Sequence, residues 1–192
     1  MPKIVDHAQY RQELLSRSFS LFAEKGYASI TMRQIAEGLG VSTGTLYHYF
    51  PSKKDLFEQL VDYLSQQDIL TIAVELEGTQ TLQERLEVLA GFLTKNEDYF
   101  LQQIHVWMDF CQHEDFKNMG DSPILHIADK RYQQAVSDFL GISDPVLIRF
   151  ILSFIDGVIL HRIFGYEGVS FSEQITLLGK MLIAYLEHPL QR

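Results

Sequence analysis

Thr43, Gly44, Thr45, Tyr47 and His48 fall within two turns of a short apolar-periodic segment. They supply short hydroxyls, a phenol, an imidazole and one position without a side chain. Hydroxyl and ring N–H groups donate to phosphate oxygens and base edges, and a threonine methyl can touch a thymine methyl. Glycine lets the backbone come close to whatever it faces. A face that is merely solvated more often carries Glu and Lys. Lys53 and Lys54 follow, at the start of the next helical segment. The positive end of a helix dipole disfavours lysine there. A phosphate at that point would favour both the lysines and the helix end.

The residues around this face are those needed to hold it. In MRQIAEGLGVSTGTLYHYFP, Met32 to Pro51, two short helices packed at a steep angle require a small side chain where they meet, and Ala36 supplies it. The tight turn needs a residue tolerant of positive φ, and Gly40 supplies that. Ile35, Leu39, Val41, Leu46 and Tyr49 are placed to cement the pair to a preceding helix. The pattern is that of a helix-turn-helix, whose second helix lies in a major groove. An αα-hairpin without any nucleic-acid role has the same packing needs. The hydroxyl-rich outer face decides for the first reading.

The spacing is helical almost throughout, which predicts an all-α chain. A first helix is expected from about Asp6 to Lys25, with Leu15, Phe19, Phe22 and Ala23 inward and Gly26 as a left-handed stop. Thr31 with Gln34 forms a capping box for the second helix. The third starts after Ser42, and Ser52 caps a fourth carrying Leu56, Phe57, Leu60, Val61 and Leu64. Thr81 with Glu84 is another capping box, followed by Leu82, Leu86, Leu89 and Leu93. A helix from about Glu97 to His113 should present Leu101, Ile104, Met108 and Cys111 on one face. Residues 114–122 read as a loop. Helices are then expected at Pro123–Leu140, from Asp144-Pro145 to about Phe164, and from Ser170 to near His188. The expected division is a helix-turn-helix DNA-binding domain at 1–50 and a larger helical domain at 51–192.

Net charge is −9, but its distribution matters more than its sum. Residues 1–60 hold seven Lys or Arg against six Asp or Glu, and residues 61–192 hold nine against nineteen. Only the first third is compatible with approach to phosphates. The single cysteine, Cys111, excludes an intrachain disulfide and a thiolate zinc site. No signal core and no membrane-length apolar run is present, so a reducing cytoplasm is the expected compartment.

Other candidates are weaker. His105, Asp109 and His113 recur every four residues, a spacing that suits a metal but equally a polar stripe beside an apolar one. His126 reads as a helix-surface or pocket-lining residue. Trp107, Phe110, Cys111, Tyr132 and Asp156 are candidates for lining a pocket; aromatic residues at this spacing also serve as core. Cys111 has no basic neighbour within a turn to stabilise a thiolate. No nucleophile elbow, phosphate loop or metalloprotease helix occurs, and no cofactor is called for. The helix from Asp144 to Phe164 is apolar nearly all round and must be covered on both sides. A partner subunit is the natural cover. Ser153 and Gly157 would permit close approach, and the last helix, with Ile175, Leu178, Leu182 and Leu186, would be its companion. Phe154 and Val158 should face either that partner or a pocket.

The stretch ITMRQIAEGLGVSTGTLYHYFPSKKDLF resembles the N-terminal signature of the TetR family of repressors, without departure from its pattern. With the helix before it, the resemblance covers about Gln9 to Leu64 and then fades. FIDGVILHRIFGYEG is similar in flavour to the dimer helices of many members. The resemblance implies an all-helical homodimer with a three-helix DNA domain and a variable ligand domain. It implies that Thr43, Gly44, Tyr47 and His48 reach bases or nearby phosphates, and that Thr31, Arg33, Tyr47 and Lys53 grip the backbone. The implied partners are double-stranded operator DNA, a second copy held through the last two helices, and a small-molecule effector that releases the DNA. A constitutive DNA-binding protein without effector is the alternative.

Overall fold

The computed structural model describes residues 6–114, 123–165, 168 and 170–187, apart from the side chain at 124. Among these it contains only helices: α1 (His7–Lys25), α2 (Met32–Leu39), α3 (Thr43–Tyr49), α4 (Lys53–Glu75), α5 (Leu82–Lys95), α6 (Glu97–His113), α7 (Pro123–Leu140), α8 (Pro145–Ile163) and α9 (Phe171–Glu187). Apart from Glu114, the loop expected at 114–122 lies outside the described residues, as does the expected helix end near His188. No described helix is long and apolar enough to cross a membrane.

The helix starts follow local chemistry. Asp6 accepts from the backbone N–H of Ala8 and Gln9 at 2.9 and 3.1 Å. Thr31 with Gln34, and Thr81 with Glu84, form complete capping boxes. Ser42 accepts from the Thr45 N–H, and Ser52 from that of Asp55. Asp144 caps α8 ahead of Pro145, whose missing N–H costs nothing at that position. Ser170 and Glu173 exchange hydrogen bonds at the start of α9. Each bond satisfies a backbone donor that the helix leaves open.

Gly40 adopts the left-handed conformation, φ 72° and ψ 29°. Gly26 does not: its φ is positive at 76°, but its ψ is 149°. The chain leaves α1 through a turn over residues 27–29, in which the Ile30 N–H returns to the Gly26 carbonyl oxygen at 3.2 Å and the Ala28 N–H reaches the Asp109 carboxylate. Positive φ is what glycine provides at both stops.

The described residues form two compact units. One gathers those within Met1–Gln67 and His105–Asp129, the other those within Asp68–Ile104 and Lys130–Arg192. The core of the first is built from Leu14, Leu15 and Phe22 of α1, Ile35, Ala36 and Leu39 of α2, Leu46 and Tyr49 of α3, Leu56, Phe57 and Leu60 of α4, and Val106 and Phe110 of α6. Leu14, fully buried, is a core residue that the expected inward face of α1 omitted. The expected single face of α6 is also revised. Leu101 and Ile104 pack in the second unit, whereas Val106 and Phe110 fill the first.

In the second unit Ile72, Phe92, Leu93, Val158, Ile159, Phe171 and Ile175 form one cluster, and Leu86, Ile148, Ile151, Leu178 and Leu182 lie in another. Val158 is 3% exposed and Phe154 packs against both clusters, so these two face the unit's own interior. Ile175, Leu178 and Leu182 of α9 likewise pack inside their own unit, while Leu186 of the same helix is exposed. α9 packs on α5 at Gly179, where an added Cβ would make ordinary contact with that of Leu86 at 3.6 Å. Other apolar residues remain outside: Val146, Phe150 and Phe164 at 48–68% exposure, and Leu177 and Met181 at 56% and 55%.

Candidate nucleic-acid interface

Helix α3 is seven residues long and is held by its inward side. Leu46 is fully buried and Tyr49 nearly so, while Thr43, Gly44, Tyr47 and His48 are exposed together on the other side. A Cβ added at Gly44 would meet only the Ser42 hydroxyl, 3.8 Å away, so the backbone there faces open space. Thr45 is more enclosed. Its N–H donates to Ser42 Oγ at 2.9 Å and its hydroxyl shares a hydrogen bond with the same oxygen at 2.8 Å. That threonine is half committed to the cap of its own helix.

The rear of α3 is braced by the start of α1. His7 Nδ1 and the Tyr49 hydroxyl share a hydrogen bond of 2.8 Å. Tyr10 stands edge-on to Tyr49, and the Arg11 guanidinium lies 5.4 Å from the centre of the Phe50 ring. The His7 and His48 rings are 6.3 Å apart. On α2, Arg33 and Thr31 are both exposed, but Thr31 Oγ1 accepts from the Gln34 N–H and donates to its side-chain oxygen.

Two contributors escaped sequence reasoning. Ala36 is buried as expected, and α2 also needs a small residue against α1 at Gly38, where a Cβ would lie 2.7 Å from Leu21 Cδ2. Arg17 donates to the Leu39 carbonyl oxygen at 2.8 Å, satisfying an acceptor at the end of α2. The first could be suspected from a second small residue two positions beyond Ala36. The second, a contact spanning 22 positions, has no local signal.

Lys53 does not project freely. Its ammonium donates to the carbonyl oxygen of Tyr27 at 2.7 Å and to that of Ala28 at 3.4 Å, and lies 4.4 Å from the centre of the Tyr27 ring. Burial pushes its pKa down, against the opposing pull of Glu114 and Asp109. With three N–H donors, one is left over from these bonds. Beneath, the Tyr27 hydroxyl donates to Glu114 at 2.9 Å, and burial with that carboxylate raises its pKa far above the ordinary value. Lys54 reaches the other Glu114 oxygen at 3.8 Å.

The residues expected around an effector divide between the units. In the first, Phe110 is fully enclosed and stacks on Phe57 at 4.3 Å between centroids, with Trp107 also against Phe57. Cys111 is buried, and burial raises the pKa of its thiol. In the second, the Tyr132 hydroxyl donates to Asp68 at 2.8 Å, and Asp156 is exposed on α8. The stripe of His105, Asp109 and His113 is put to other uses: Asp109 accepts from the Ala28 N–H at 3.0 Å and His113 stands edge-on to Tyr27. Among the described residues no group of three or more His, Cys, Asp or Glu is gathered as a metal would need.

Residues 14–60 match the family of bacterial regulatory proteins, tetR family. The HTH-type transcriptional repressor KstR2 of Mycobacterium tuberculosis is 43% identical over 51 residues, 27% of this chain and 26% of that protein. The match thus spans about a quarter of such curated relatives, which are transcriptional regulators rather than enzymes. Solved structures extend the likeness in fold over nearly the whole chain. The regulator FadR of Bacillus subtilis, in complex with stearoyl-CoA, is 18% identical with a TM-score of 0.70, covering 91% of this chain and 98% of that one. A transcriptional regulator of Saccharomonospora viridis, in complex with choline, is 21% identical with a TM-score of 0.70, covering 95% and 98%.

Proposed function

We propose, from the match of residues 14–60 to the tetR family of bacterial regulatory proteins, that the whole chain is a cytoplasmic, ligand-responsive repressor that binds a palindromic operator as a homodimer. One observation carries the reading: the outer side of α3 exposes Thr43, Gly44, Tyr47 and His48 together while Leu46 and Tyr49 anchor the inner side. Such a face can enter a major groove, with hydroxyls and imidazole toward base edges and phosphates. Thr31, Arg33, Thr45 and the remaining Lys53 donor stand around it as backbone contacts. Residues 1–50 are the head that reads DNA, and 51–192 take the effector and the partner.

The exposed apolar residues Val146 and Phe150 of α8, Phe164 just after its end, and Leu177 and Met181 of α9 support a second copy as their cover. A two-fold dimer places two recognition helices in successive major grooves, about 34–36 Å apart. The effector is supported by fold relatives holding choline and stearoyl-CoA. A molecule that favours another spacing of the heads would release the operator.

Genomic mapping of bound fragments with the purified chain tests the proposal. Enrichment of a palindrome with half-sites one helical turn apart is expected. No enrichment over background DNA would refute it.

A further inference from the structure

Asp68 of α4 is only 6% exposed, yet it is an acid. The Tyr99 hydroxyl donates to Oδ1 at 2.8 Å. The Tyr132 hydroxyl and the Gln103 amide donate to Oδ2 at 2.8 and 3.2 Å. All three donors are neutral, and among the described residues no cation acts on this carboxylate. Burial pushes its pKa up, and the three hydrogen bonds only pull against that.

Enclosing a carboxylate without a counter-ion is costly even when it is hydrogen-bonded. If the cluster served only to tie helices together, an uncharged asparagine could do so at lower cost, its oxygen accepting from one hydroxyl and its amide donating to the other. A carboxylate offers about four acceptor positions, and three are filled. The charge of Asp156 also reaches Tyr132, so negative potential arrives from a second helix. Aromatic faces are at hand: Tyr99 and Tyr132 flank the acid, and Phe100 stands edge-on to Tyr99 at 5.3 Å. The acid excess of residues 61–192 draws cations toward this part of the chain.

We propose that the second unit binds an organic ammonium ion, with Asp68 as its counter-charge and the rings of Tyr99 and Tyr132 as its walls. The inference rests on the effector reading above and gives that effector a chemistry.

The test uses the full chain and four probes, followed by calorimetry: benzyltrimethylammonium, benzylamine, the neutral isostere neopentylbenzene and the anion phenylacetate. An ammonium probe should bind about tenfold or more tightly than the isostere. Asp68→Asn should abolish that preference, and Tyr132→Phe, which keeps the ring, should retain it. Whether the quaternary or the primary ammonium binds identifies which kind of headgroup is taken. Equal binding of the isostere or the anion, binding of neither ammonium, or an undiminished preference in Asp68→Asn would overturn the inference. If Asp68→Asn fails to fold, the comparison of ammonium with isostere on the unmodified chain still decides. Operator release, measured on the same samples, separates the two readings. Asp68-dependent ammonium binding without release would sink the effector and keep the site. Release by the anion or the isostere alone would do the reverse.

Discussion

The Lys53 ammonium lies 2.7 Å from the carbonyl oxygen of Tyr27 and 4.4 Å from the centre of its ring. One side chain thereby ties the start of α4 to the segment between α1 and α2. A lysine that stabilised only bound phosphate would leave the free protein untouched when removed. Lys53→Ala should instead destabilise the chain by about 1 kcal/mol, and also weaken binding to specific and random DNA alike, with a shallower salt dependence. Urea unfolding and anisotropy titrations at several salt concentrations check both. An unchanged unfolding midpoint would mean that the contact contributes nothing.

Thr43 and Thr45 are neighbours in sequence with different commitments. Thr43 is exposed, while the Thr45 hydroxyl shares its hydrogen bond with Ser42 at 2.8 Å. Thr43→Ala should change the ranking of operator sequences by about 1 kcal/mol at one base position and leave stability alone. Thr45→Ala should lower stability by about 0.5–1 kcal/mol through the weakened cap. Binding-site selection and thermal unfolding of the two variants separate these effects. Equal loss on specific and random DNA for Thr43→Ala would contradict its role as a base reader.

The head is the most legible part of this molecule because its constraints are local. Capping boxes, the left-handed turn at Gly40 and the buried side of α3 each depend on residues within four positions of one another. What escaped was long-range. The Arg17 bond to Leu39, the Gly38 approach to Leu21 and the Lys53 anchor join segments whose meeting no short window encodes. In α8 and α9 the difficulty was another one. Apolar residues stand on more than one side of each helix, so periodicity could not say which stripe turns inward. Ile175 and Leu178 are buried, whereas Leu177 and Met181 on the same helix are exposed.

That division redirects the dimer test. Phe150→Glu with Met181→Glu places charges on exposed positions and should yield folded monomers by sedimentation, with operator binding reduced to that of a single head. Val158→Glu would bury a charge at a site 3% exposed and should cost about 3 kcal/mol or more of stability. A double variant that still sediments as a dimer would move the interface away from this face.

Asp68 imposes a sign on the acid limb of stability. Its pKa in the folded chain is raised above the ordinary 3.8, so the folded state keeps its proton to higher pH than the unfolded state does. Its contribution is fully present below the unfolded value and is lost as pH rises through the folded one. The stability of the unmodified chain relative to Asp68→Asn should therefore fall as pH is raised from below 3.8, then level off. Urea midpoints of the two proteins, between about pH 3.5 and about pH 8, give the difference directly. Parallel curves would show that the carboxylate is not held in the environment described.

The enclosed thiol of Cys111 gives the chain a built-in stopwatch. It is the only cysteine, it is buried, and burial holds it in its unreactive protonated form. An alkylating reagent must therefore wait until α6 lets the sulfur out, so the rate of labelling counts those openings at one known place on one helix. Read with DNA bound and without it, by mass and without any introduced label, the same clock would say whether holding an operator quiets the protein beneath the head.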